Sequence, residues 1–340
     1  MSDFMNAYFN IFPVVAALRN MVRIICDHEI RPVIDIPQIV ARIEAGYRSD
    51  GRGEVVPFPR SRIEARGTTL AWLGASIPPE DLLGFRSYLY GATGSDVGHQ
   101  VVALYTHGSM KLRALFLGRL VGNLRTGAAI AAAFHLVDPS LHNFGLLGTG
   151  YQARNAIACL AATFPKSRMV AWSPNTERRT AFKLWAEANL GVEVELKEDA
   201  TGVLRETQSV ALVTASERPV VIPGMLQEPH LLLSINAYRR PEIDLSLLES
   251  AKEVWTDSVA QASGPGTLFE KSEMRSRLSP LVRGLEDGKL RDKQQNRIII
   301  NTGAAWEEVV TAEALLELAT SRNIGTEIEL PLDSEQHRVF

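Results

Sequence analysis

A short apolar run at 144–147 meets Gly148-Thr149-Gly150-Tyr151-Gln152-Ala153, and an alanine-rich segment follows at once. No other feature limits the fold as strongly. Gly148 permits a tight strand-to-helix turn, and Gly150 lets a pyrophosphate approach the backbone. Ala153 is small enough for the helix to pack closely on the strand, and the first helical N–H groups then face the phosphates. The turn carries weight because strand precedes and helix follows, within a unit that closes at Trp172. It predicts a dinucleotide site on Gly148, Thr149, Gly150, Tyr151 and Gln152.

The texture around the turn alternates. Strands are expected at 169–172, 193–196, 210–214, 230–235, 254–257 and 297–300. Helices are expected at 125–137, 152–164, 176–188 and 201–206, with a long one running from Asn301-Thr302-Gly303 to about Ser321. Such alternation predicts an α/β fold with a doubly wound parallel sheet and crossover helices. Before residue 124 the pattern differs. An amphipathic helix at 36–47 precedes strand-like runs at 54–63, 68–73, 83–90 and 100–106, with turns at 91–98 and 107–109. This part reads as a largely antiparallel sheet.

Composition excludes several classes. Thirty-six basic residues against 39 acidic ones leave a net charge of −3, without the basic excess that nucleic acid or an anionic membrane requires. No run of ~18 uninterrupted apolar residues marks a membrane span. The apolar stretch 9–17 lacks a preceding basic flank and a cleavage site, so a signal peptide is not expected. Cys26 and Cys159 lie far apart in apolar runs and read as reduced core residues of a cytoplasmic protein. Seven scattered histidines form neither HExxH nor any other ligand spacing, so no metal is expected. GxSxG and GxxxxGK[ST] are both missing.

The second strand of a dinucleotide unit ends, in NAD enzymes, on an acid that binds the ribose hydroxyls. Here it ends Trp172-Ser173-Pro174-Asn175-Thr176, with Arg178 and Arg179 just beyond. Ser173, Asn175 and Arg178 therefore favour NADP(H) while NAD(H) stays open. Thr214, closing the 210–214 strand, joins the expected cofactor residues.

Four motifs in order now give a resemblance: LRTGAA at 124–129, GLLGTGYQAR at 145–154, INAYRRPEIDLSLL at 235–248 and NIGTEIELP at 323–331. Together they resemble the ornithine cyclodeaminase/mu-crystallin family over about 55–331. The resemblance implies a homodimer of two-domain chains. A Rossmann domain would span 123–300. A smaller α+β domain for substrate binding and dimerisation would span 1–122, completed by 301–340. It also implies hydride chemistry at the α-carbon of amino or imino acids. On this resemblance Arg125 holds the substrate carboxylate, and Arg60 or Arg62 supplies a second carboxylate-binding arginine. Two positions depart from the pattern: Arg86 stands where the family has a lysine, and Asn236 where the cyclodeaminases have an aspartate.

Asparagine cannot act as the general base that deamination needs, and arginine does not release a proton near neutrality. The expected activity is therefore NAD(P)H-dependent reduction of a carboxylate-bearing imine or ketimine, equivalently amino-acid dehydrogenation, with Arg86, Arg125 and Asn236 in the site. A non-catalytic NADPH-dependent binder of small molecules is the alternative, and ornithine cyclodeamination ranks behind both.

Overall fold

The computed structural model describes residues 20–91 and 97–330. The stretch 9–17 and most of the 91–98 turn lie outside the described residues.

Two sheets organise the chain. The first has seven strands: β1 (Asn20–Cys26), β2 (Val56–Ala65), β3 (Thr68–Ile77), β4 (Leu82–Gly91), β5 (Val97–Thr106), β6 (Leu112–Leu117) and, from the far end of the chain, β15 (Thr326–Leu330). Their order is β15-β1-β6-β5-β4-β3-β2, antiparallel throughout except where β1 runs parallel to β6. The alternation Leu82-Leu83-Gly84-Phe85-Arg86 shows why one face is buried: Leu82, Gly84 and Arg86 turn inward, Leu83 and Phe85 outward. Helices Ile36–Gly51 and Ala305–Ser321 pack on each other, and the second lies on the inward face. Asp35 caps the first of these by accepting from the Gln38 amide at 3.1 Å.

The second sheet is wholly parallel. Its strands are β7 (Asn143–Leu147), β8 (Arg168–Trp172), β9 (Val194–Leu196), β10 (Ser209–Leu212), β11 (Leu231–Ser234), β12 (Val254–Thr256), β13 (Leu278–Pro280) and β14 (Arg297–Ile300), in the order β13-β12-β14-β11-β10-β7-β8-β9. β7 lies between β10 and β8, so the chain departs to one side and returns to the other; clefts beyond the carboxyl ends at such a reversal bind ligands. The alternation read from the sequence is present, with strand ends displaced by one or two residues.

Helix Leu120–Val137 joins the sheets. It starts five residues earlier than its alanine-rich texture suggested, so Asn123 and Arg125 lie within its first turns. By length and composition it could cross a membrane, yet 83% of it is buried against helices Tyr151–Thr163, Ile36–Gly51 and Ala305–Ser321. Its alanines allow this close approach, and Ala128 to Ala133 are essentially inaccessible. Cys159 is buried beside it, its thiol pushed up to about 12 by burial.

Candidate functional site

Two cavities meet at the carboxyl edge of the parallel sheet. The larger, about 920 Å³, forms around the glycine turn. Gly148 has φ +112°, and its amide donates to the Trp172 carbonyl at 2.8 Å. A Cβ there would stand 2.6 Å from the Val213 carbonyl oxygen, so only glycine fits. Gly150 differs: it is the extended cap of helix Tyr151–Thr163, and an added Cβ would meet nothing within 4 Å. The space over Gly150, at a helix N-terminus, suits a pyrophosphate.

Every residue expected to hold the cofactor lines this cavity: Gly148 to Gln152 on the turn, Ser173, Asn175 and Arg178 beyond β8, and Thr214 beyond β10. Thr149 and Ser173 share a hydroxyl–hydroxyl bond of 2.6 Å across the β7–β8 seam. Asn175 accepts from the Arg178 amide at 2.8 Å and so starts helix Thr176–Leu190 with Arg178 turned to the cavity. Arg179 instead points inward, to the Thr176 hydroxyl and the Glu198 carbonyl. Thr214 is fixed by Glu242, which accepts from its amide at 2.8 Å and its hydroxyl at 2.5 Å. Burial pushes the Glu242 carboxyl up, opposed by the Ser234 and Thr214 hydrogen bonds.

The smaller cavity, about 260 Å³, is polar and shares Gln152, Ile235 and Asn236 with the first. Arg60, Arg86 and Arg125 converge on it from β2, β4 and the junction helix. Arg60 donates to the Tyr238 hydroxyl at 3.2 Å and to the carbonyls of Thr302 and Gly303. Arg86 donates to Gln100 at 2.6 Å and pairs with Glu308, its guanidinium carbon 4.5 Å from the Tyr88 ring centroid. Arg125 donates to Glu308 at 2.9 Å and to Glu307 at 3.3 Å. The turn at 301–304 makes room for it: Gly303 has φ +73°, and a Cβ there would lie 2.4 Å from the Arg125 guanidinium. Asp257 holds that turn through the Thr302 and Ala304 amides, both at 2.7 Å.

The charges are unequal. Glu308 is inaccessible, and burial alone would raise its pKa; the guanidinia of Arg86 and Arg125 outweigh that and hold it low, so it stays ionised. Glu307 goes the other way, pushed well above the carboxylate range by burial and by Asp257 despite Arg125. Even with both glutamates ionised, three guanidinium groups face two carboxylates, and the cavity has a positive excess that attracts an anion. Asn236 lies at the seam, its Nδ2 donating to the Thr214 carbonyl at 2.6 Å, which leaves Oδ1 and the second Nδ2 hydrogen for a ligand.

Of the residues expected from sequence, Arg60, Arg86, Arg125 and Asn236 come together here. Arg62 does not line the inner cavity. The β-bulge between Phe58 and Ser61 turns Arg60 toward it, while Arg62 donates to the Tyr90 hydroxyl at 3.2 Å farther out. Sequence reasoning missed Glu307, Glu308, Tyr88, Tyr238 and Glu242. The signal for the first two was available: two adjacent acids in the first turn of a largely apolar helix, just after Asn301-Thr302-Gly303. Among the described residues no cluster of three or more His, Cys, Asp or Glu could hold a metal ion.

A glycine-turn cleft opening into an arginine-lined pocket defines the class: an α/β protein whose parallel sheet sets a cleft of dinucleotide-binding form against a cationic pocket. The ornithine cyclodeaminase/mu-crystallin family model matches residues 19–323, and the chain belongs to that family. It is 24% identical over 324 residues to the iminosuccinate reductase of Paracoccus denitrificans, covering 90% of this chain and 99% of that one. Among solved structures, the Δ1-pyrroline-2-carboxylate reductase of Thermococcus litoralis, in complex with NADH and L-proline, superposes with a TM-score of 0.78. It is 17% identical and covers 90% of this chain and all of its own. An archaeal alanine dehydrogenase dimer with bound NAD gives 0.78 at 20% identity, covering 92% and 100%.

Proposed function

We propose that this chain is an NAD(P)H-dependent reductase of imines that bear a carboxylate, equivalently an amino-acid dehydrogenase. The observation that carries the reading is the meeting of the two cavities at Gln152, Ile235 and Asn236, which sets an anion-binding pocket against the open end of a dinucleotide cleft. The relatives support it, since iminosuccinate and pyrroline-2-carboxylate both join a carboxylate to a C=N carbon.

A nicotinamide dinucleotide held by the Gly148–Gln152 turn with Ser173, Asn175 and Arg178 would supply a hydride for the imine carbon. Arg125 grips the α-carboxylate with the donors that Glu307 and Glu308 leave free, and Glu308 fixes its plane. Arg60 adds a second guanidinium to that pocket. Asn236 offers Oδ1 to the imine N–H, held by its bond to the Thr214 carbonyl. Holding both reactants in line lowers the barrier by several kcal/mol. The product amine takes its last proton from solvent, and neither Asn236 nor the arginines change charge.

The edge of β8 supports NADPH as the preferred cofactor, since Ser173, Asn175 and Arg178 line the cleft where a ribose-binding acid would stand. A homodimer is supported by the outer face of the first sheet, where Val56, Phe58, Ile63, Leu83, Phe85 and Leu89 are 38–62% exposed. Light scattering should give twice the 37.4 kDa chain mass. The reading is tested by Arg125→Ala. It should raise KM for a carboxylate imine at least tenfold, the loss of one charge-assisted contact, while NADPH binding survives. Full kcat/KM in that variant would refute the clamp.

A further inference from the structure

Glu242 is inaccessible, in the loop between β11 and helix Leu245–Ser250, and no step of the reduction uses it. Its own carbonyl accepts from the Val220 and Val221 amides at 2.8 and 3.1 Å, which anchors that loop. The carboxylate joins the carboxyl ends of two neighbouring strands. Oε1 accepts from the amide and the hydroxyl of Thr214, just past β10, at 2.8 and 2.5 Å. Oε2 accepts from the hydroxyl of Ser234, the last residue of β11, at 2.5 Å. Each hydroxyl also takes an amide proton from elsewhere: Ser216 donates to Thr214 at 3.1 Å, and Ala237 and Asn236 donate to Ser234 at 2.8 and 3.2 Å. Both hydroxyl protons are therefore left for the carboxylate.

The two grips end on one residue. Thr214 offers its carbonyl to Asn236 Nδ2 at 2.6 Å, and Ser234 holds the Asn236 backbone amide. Pinning Thr214 at its amide and its side chain fixes the direction of that carbonyl. A carbonyl only accepts, so Nδ2 turns to it and Oδ1 is left toward the seam of the cavities. A carboxamide free to rotate would present a substrate with either end. Glutamate suits the task because it accepts at both oxygens. A glutamine of the same shape has one acceptor and one donor, so it breaks either the Thr214 grip or the Ser234 grip. We propose that Glu242 is a positioning residue, holding the Asn236 carboxamide through Thr214 and Ser234 with Oδ1 toward the imine N–H.

The proposal rests on the reductase reading and adds a residue to it. NADPH oxidation is followed with ammonia and the 2-oxo acid reduced fastest, for the wild type, E242Q, N236A and the double variant. E242Q should lower kcat about tenfold in the wild type and less than twofold in the N236A background, where Glu242 has nothing left to orient. Equal losses in both backgrounds would overturn it, being the mark of a packing role alone. T214V tests the same link if E242Q fails to fold. It removes one hydroxyl and should lower kcat about threefold, while T214S, which keeps the hydroxyl, restores it; wild-type kcat in T214V would overturn the link. Asparagine-selective ¹⁵N labelling gives a readout independent of turnover. With NADPH bound, the Asn236 side-chain NH₂, assigned by its loss in N236A, should exchange with water about tenfold faster in E242Q, or in T214V in its place, than in the wild type. If no oxo acid is reduced yet this difference is found, the reductase reading falls and the positioning stands. Equal exchange overturns the positioning itself.

Discussion

Gly150→Val separates cofactor binding from folding. Gly150 has φ −83° and ψ −163°, extended backbone that valine adopts readily, and its new Cβ would meet nothing within 4 Å. Folding stability should therefore change by no more than about 1 kcal/mol, part of that a gain from a less flexible unfolded chain. The space a valine would fill is the space a pyrophosphate needs. Displacing one charge-assisted phosphate contact costs ~1.5–3 kcal/mol, which predicts roughly ten- to hundredfold weaker NADPH binding. Fluorescence titration measures the affinity and urea unfolding the stability. Gly148→Ala is the contrast, because its Cβ would collide with the Val213 carbonyl at φ +112° and should lower stability by ~1–3 kcal/mol. Wild-type NADPH affinity in a well-folded Gly150→Val protein would refute the assignment of this turn.

Other consequences follow from the buried charges. Glu308→Gln removes the shared counter-ion of Arg86 and Arg125 and should cost ~3–5 kcal/mol in urea unfolding; a loss below ~1 kcal/mol would contradict the pairing. Asn236→Asp places a carboxylate oxygen against the Thr214 carbonyl, where Nδ2 now donates at 2.6 Å. Repulsion should keep that carboxyl protonated to higher pH, so kcat/KM should fall about tenfold near pH 8 and recover in acid. A flat profile would place Asn236 outside the reacting centre. Burial and then Asp257 raise the Asp50 carboxyl from 3.8 to about 6. The folded state therefore holds more protons than the unfolded one across that window, and stability falls as pH rises through it. Asp50→Asn should stabilise by roughly 1–2 kcal/mol near pH 8 and by almost nothing near pH 4, read from thermal melts. An equal effect at both would contradict the linkage.

The parts legible in the sequence were those written in local patterns. The Gly148–Ala153 turn, the strand–helix alternation after residue 140 and the strand-like run at 83–90 each arise from neighbours in the chain. β1, β6 and β15 escaped because their pairing is non-local. β1 is a short apolar run broken by Arg23, made a strand by lying between β6 and β15, with Arg23 bonded to the Ile324 carbonyl at 2.7 Å. The arginines of the pocket were visible as residue types, but not which of Arg60 and Arg62 turns inward, since a β-bulge decides that. Glu307 and Glu308 had the look of helix-start acids, and only the packed structure shows them inaccessible against Arg86 and Arg125.

Hydride transfer from the cofactor to the substrate's α-carbon is the core of the account, and an isotope label reads it directly. The chain is incubated with [4-²H]NADPH or [4-²H]NADH of each ring-face stereochemistry, ammonia and a 2-oxo acid, and the amino-acid product is analysed by mass spectrometry and NMR. The account predicts one deuteron at the α-carbon, from one face only, with one oxidised cofactor formed per amino acid. Cofactor bound but never consumed, or product carrying only solvent hydrogen at the α-carbon, would contradict it.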